Sequence, residues 1–217
     1  MPANFSSLAR KVACSFIIGG LTVALGIGFA GAGEQPSAST IIKTLTPPKT
    51  MTRGLSASPA DTAKKAEDKA FLDSLRNRKT RSLSTVELDK LTSITVDKPN
   101  IDLEIQFEFD SDRISPAALS MVKALGKALS DPTLKGNTFV LAGHADATGK
   151  PDYNQDLSER RANSVKRYLV ENYHIPADSL VTVGYGETQL KNKKDPYAAE
   201  NRRVAVVNMN DSATAAK

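Results

Sequence analysis

The sequence predicts an α+β domain in the order β-α-β-α-β-β, with one mixed sheet and helices packed on one of its faces. Three observations carry that prediction. From Ile101 to Phe109 apolar and polar residues alternate without exception, the period of a strand with one buried and one wet face. Two later stretches, near residues 119–129 and 152–172, repeat apolar residues at helical spacing instead. Three short β-rich runs, Thr138 to Gly143, Val181 to Tyr185 and Arg203 to Asn208, fall between and after those helices. At 217 residues and 40% hydrophobic content the chain fits one modest domain with tails, not two full domains.

The elements follow in order from the N-terminus. Arg10 and Lys11 precede an uncharged run from Val12 to Ala32 that ends in Ala30-Gly31-Ala32. Residues 1–32 therefore read as a secretory signal peptide with an A-x-A cleavage pattern. The same run is long enough to span a bilayer if it is retained. Its Gly26 to Gly31 stretch matches GxGxxG, but without the strand, turn and helix that a dinucleotide site needs. Residues 33–96 are polar and rich in Ser, Thr, Pro and Lys, as at Thr46-Pro47-Pro48, and predict a mostly disordered linker. Two short helices start within it, at Ser58-Pro59 and at Ser84 with Glu87 three residues on.

The folded domain spans residues 97–210, and residues 211–217 form a tail. After the first strand, Ser115 and Pro116 supply a helix cap and first residue. Leu119, Val122, Leu125 and Leu129 then make an apolar stripe that Asp131-Pro132 terminates. The second strand leads to Asp146 and Gly149, after which the longer helix begins. Too few and too short strands are present for a transmembrane β-barrel, which needs at least about eight.

Composition excludes several functions. A net charge of +5, from 29 basic and 24 acidic residues along the chain, lacks the dense basic stripe of a nucleic-acid binder. Cys14 is the single cysteine, and His144 and His174 lack metal-ligand spacing. No disulfide, metal or cofactor is expected.

One residue breaks the apolar pattern of the longer helix. At about 100° per residue Leu157, Ala162, Val165, Tyr168 and Leu169 share an arc, and Arg161 falls inside it. Its neighbours one turn away, Leu157, Ser158, Ser164 and Val165, carry no carboxylate, whereas Arg160 points outward with Asp156 one turn back. An inward guanidinium keeps its charge and requires a planar anion. Asp146, at the carboxyl end of a strand where α/β folds form ligand crevices, is the acid nearest in sequence. Either the two pair as a staple, or they flank a crevice and take the two ends of a zwitterion, Asp146 the ammonium and Arg161 the carboxylate.

The stretch Gly143-His144-Ala145-Asp146, with Gly149, Tyr153-Asn154, Leu157-Ser158, Arg161-Ala162 and Val165, resembles the central motif of the OmpA-like peptidoglycan-binding family. Phe107 to Asp110, Gly184 to Glu187 and Asn201-Arg202-Arg203-Val204 resemble its flanking signatures, so the likeness covers about Asp97 to Asn210. It implies non-covalent binding of peptidoglycan through the diaminopimelate of its stem peptide. Asp146 and Arg161 match the family's gripping pair; Asn154, Leu157, Phe109 and Asp110 match supporting pocket positions. Ala145 departs from the family's usual Thr.

The implied protein is a binding module, not an enzyme, in the periplasm or cell envelope, with outer-membrane association. Its partners would be peptidoglycan and an envelope protein met through the N-terminal arm, with membrane contact only if the leader is retained. The alternative is an inner-membrane anchored, stator-like component with an uncleaved N-terminal helix. A wall hydrolase using Asp146 and Glu187 is a third reading, and His144 reads as a hydrogen-bonding strand-end residue instead of a catalytic base.

Overall fold

The computed structural model describes residues 35–48, 59–76, 83–108 and 110–210. The leader, the tail and Phe109 therefore lie outside the described residues. The chain divides into Met1–Glu34 and Gln35–Lys217, and all described residues belong to the second unit. Four strands form one mixed sheet in the order β1-β4-β2-β3: β1 (Asn100–Leu103), β2 (Phe139–Gly143), β3 (Leu180–Gly184) and β4 (Val204–Asn208). β2 and β3 run parallel, while β4 lies antiparallel between β1 and β2.

The first strand is shorter than the alternation predicts. Leu103 pairs with Val204, the first residue of β4, so no partner backbone continues the ladder beyond it. The alternation of burial persists regardless. Ile105 is buried and Glu104 and Gln106 are exposed, and Phe107 makes an isolated bridge with Ile114.

One face of the sheet is covered by α4 (Leu119–Leu129) and α5 (Pro151–Tyr173), as the β-α-β-α-β-β pattern requires. Ser115 caps a short 3-10 turn before α4 by accepting from the Ala118 N–H. Met121, Val122, Leu125 and Leu129 of α4 then pack with Val165 and Leu169 of α5 on Phe139, Leu141, Val204 and Val206. α5 comes unusually near the sheet: a Cβ at Gly143 would lie 2.1 Å from the Ser158 carbonyl oxygen, so only glycine permits the approach.

The segment expected to be linker contributes three helices to this fold. α1 (Ala38–Leu45) is capped by Ser37 and joins the same core through Ile41 and Leu45, both fully buried. The buried Asn208 amide donates to the Leu45 carbonyl at 2.9 Å. α2 (Pro59–Arg76) and α3 (Thr85–Thr95) cover the opposite face, where Leu72, Leu75 and Leu91 meet Val140, Ala142, Val181, Val183, Tyr185 and Val207. Ser84 and Glu87 complete the expected capping box. The sequence predicts no core here, because the segment is polar and its two expected helices are marginal alone; burial against the sheet supplies the missing stabilisation. Among the described residues no helix is long and apolar enough to cross a membrane.

Candidate functional site

At the carboxyl end of β2 the chain opens into a cleft of about 670 Å³. The segment after β1 forms one wall, the loop after β2 the second, and the first turns of α5 the floor. Asp146, Arg161, Asn154, Leu157 and Asp110 all line it. Phe109, expected beside them, lies outside the described residues.

Asp146 stands three residues beyond β2 and is 8% exposed. One carboxylate oxygen accepts from the Thr148 N–H at 3.1 Å, the other from Arg202 Nη1 at 2.6 Å. Burial pushes its pKa up, but the hydrogen bonds from Arg202 and Thr148 and the charge of Arg202 more than offset this, holding it below the usual carboxylate value. Gly149, at φ 103°, makes the turn from this loop toward α5.

Arg161 faces inward, as its place on the helix predicts, and is 9% exposed. Its Nε donates to the Ser111 carbonyl at 3.1 Å, and its guanidinium lies 4.9 Å from the centre of the Phe107 ring, a cation–π contact. Among the described residues no carboxylate forms an ion pair with it, Asp146 included. Burial lowers its pKa, opposed by the charge of Asp146 and reinforced by that of Arg202; arginine nonetheless stays charged. Of the two arrangements that the sequence leaves open for Asp146 and Arg161, the staple is thus not the one found. The acid is paired with Arg202, a residue the helical pattern does not point to.

The supporting residues fix the loop. Asn154 is buried and its amide donates both to the Asp146 carbonyl at 3.1 Å and to the Glu187 carboxylate at 2.6 Å. Leu157 supplies a buried apolar patch. Asp110 accepts from the Tyr153 hydroxyl at the rim. Glu187, the second acid of the hydrolase reading, does not line the cleft.

His144 does not face the cleft. Its ring stacks on Tyr185 with centroids 5.2 Å apart, and its Nδ1 is buried without a partner. Burial first, then the charge of Arg203, lowers its pKa to about 3, so it is neutral at ordinary pH. The ring is held by the stack on Tyr185 and by a hydrogen bond to the Gln189 backbone.

The sheet and cleft define a class: an α+β domain with an inward arginine and a strand-end acid opening on one crevice. Residues 106–203, within the C-terminal half of the chain, match the OmpA family. Over 100 residues the chain is 40% identical to the peptidoglycan-associated lipoprotein of Pseudomonas putida, covering 45% of this chain and 58% of that protein. Over 106 residues it is 34% identical to outer membrane porin F of Pseudomonas aeruginosa, covering 48% of this chain and 30% of the porin. It thus spans less than two thirds of the length of these curated relatives. A solved structure, the peptidoglycan-associated lipoprotein of Burkholderia pseudomallei, aligns at 22% identity and a TM-score of 0.41, covering 56% of this chain and 98% of that one.

Proposed function

We propose that this domain binds peptidoglycan non-covalently by gripping the diaminopimelate of its stem peptide, Asp146 taking the ammonium and Arg161 the carboxylate. The observation that carries this reading is Arg161: a buried guanidinium with no carboxylate of its own, opening on the same cleft as an ionised acid. Such a group is costly unless an anion completes it, and a planar carboxylate fits its donors. The relatives named above, one of them called a peptidoglycan-associated lipoprotein, support the wall as the source of that ligand. Asn154 and Leu157 support the loop and floor, and Asp110 borders the entrance.

The protein is then a wall tether, not an enzyme, in the periplasm or at the outer membrane. Residues 1–32 would direct export as a cleaved signal peptide, and residues 33–96, helical over α1 to α3, would present the surface that meets an envelope protein. The binding unit extends back to about residue 35, since α1 to α3 share the cores on which the sheet depends.

A pull-down on purified diaminopimelate-type peptidoglycan tests the reading. Wild-type chain is retained, and folded Asp146→Ala and Arg161→Ala variants are lost to the supernatant. Retention of both variants at wild-type levels overturns it.

A further inference from the structure

We infer that Arg202 is an internal occupant of the ammonium subsite: its guanidinium rests on the Asp146 oxygen that a ligand's ammonium requires, and binding displaces it. This inference rests on the proposed diaminopimelate site and deepens it, because it makes Arg202 a competitor that sets how strongly an amine-bearing ligand is held.

The two partners of the Asp146 carboxylate differ in kind. Thr148 donates from its backbone within the same loop, so it is fixed by the fold. Arg202 donates from a side chain on a different segment, just ahead of β4. Its backbone is tied down, with the Arg202 N–H donating to the Ala199 carbonyl at 3.0 Å. Its side chain is 46% exposed and has water to move into. Arg161 is the opposite, buried between the Ser111 carbonyl and the Phe107 ring.

Charge makes the displacement necessary. Arg161 and Arg202 line the same cleft and both act on Asp146, which is the acid within hydrogen-bond reach of Arg202. With the ligand's carboxylate taken by Arg161, an ammonium entering with Arg202 in place would put two cations on the one Asp146 carboxylate, where they repel each other and compete for the same oxygen. Sending the exposed arginine to solvent removes the conflict. In the empty protein Arg202 serves the complementary purpose, since a carboxylate with 11% side-chain exposure would otherwise stand desolvated and unpaired. A dicarboxylate without an amine leaves Arg202 where it is, so the residue holds back amine-bearing ligands alone, and removing it favours them.

The test is calorimetric titration of the full chain with meso-diaminopimelate and with pimelate, the same carbon chain without amines. Wild type, Arg202→Gln, Arg202→Lys and Asp146→Asn are compared, with thermal melts confirming that each is folded. Arg202→Gln is expected to raise the preference for diaminopimelate over pimelate by about fivefold or more, the lower end of ordinary coupling between ligands. Arg202→Lys, which keeps a cation on Asp146, stays near wild type. An unchanged or weakened diaminopimelate affinity in Arg202→Gln, with binding lost in Asp146→Asn, overturns the displacement alone. Wild-type affinity in Asp146→Asn overturns the underlying site and this inference with it.

Discussion

Arg161 in the cleft and Arg203 at the β1–β4 seam are buried equally, each 9% exposed, yet their surroundings differ in kind. Arg203 donates to the Asp102 carboxylate at 3.1 Å and to the Gln189 carbonyl at 3.3 Å, and Lys191 braces the same acid at 3.4 Å. Among the described residues Arg161 has a carbonyl and an aromatic face but no acid. Burial alone therefore does not mark a binding arginine. What separates the two is whether the anion that the charge needs is already part of the chain: at the seam it is, and at the cleft it must arrive from outside.

Breaking the seam should have the largest effect on stability. Asp102→Asn strips Arg203 of its carboxylate and leaves a buried cation unpaired, which costs about 3 kcal/mol, read as a lower urea midpoint at unchanged slope. A loss below about 1 kcal/mol would erase the distinction between the two arginines. His144 sharpens the same region through pH. Its folded pKa of about 3 lies below the unfolded value of about 6.5, so between these values the unfolded chain binds the extra proton. The stability it contributes is complete above about pH 6.5 and falls by about 1.4 kcal/mol per unit as pH drops toward 3, reaching about 2 kcal/mol at pH 5. His144→Phe, which keeps a ring against Tyr185, should flatten that slope in denaturant titrations across pH 4 to 7.

Local periodicity made the six C-terminal elements legible, because each pattern is written within the element itself. The exception is the end of β1, where Ile105 and Phe107 keep the alternation after β4 has ceased to supply a partner. The docking of α1 to α3 was not legible in their own polar composition, but the sheet held a signal for it. All five residues from Phe139 to Gly143 are apolar and buried, and a strand buried on both faces needs a second cover. Of the site, the inward arc of Arg161 and the strand-end place of Asp146 follow from helix and strand geometry. The pairing of Asp146 with Arg202 does not, because it depends on β4 lying beside β2, a fact of strand order that no local pattern encodes.

Smaller effects test the cleft side of the comparison. Arg161→Met replaces a buried, uncompensated charge with an apolar side chain that can lie against Phe107, so stability should hold or rise by about 1 kcal/mol. Wall retention should nevertheless be lost. A variant that is at least as stable as wild type yet no longer pellets with peptidoglycan separates binding from folding, and a destabilised variant would place Arg161 with Arg203 as a structural residue. The adjacent arginine gives the smallest effect. Arg160 donates to Asp156 at 2.8 Å on the outer side of α5, with both side chains substantially exposed; such a pair contributes at most about 0.5 kcal/mol. Arg160→Ala should therefore melt within about 1 °C to 2 °C of wild type and pellet with the wall as fully. Neighbouring arginines on one helix, one dispensable and one decisive, would then differ only in the direction that the helical turn points them.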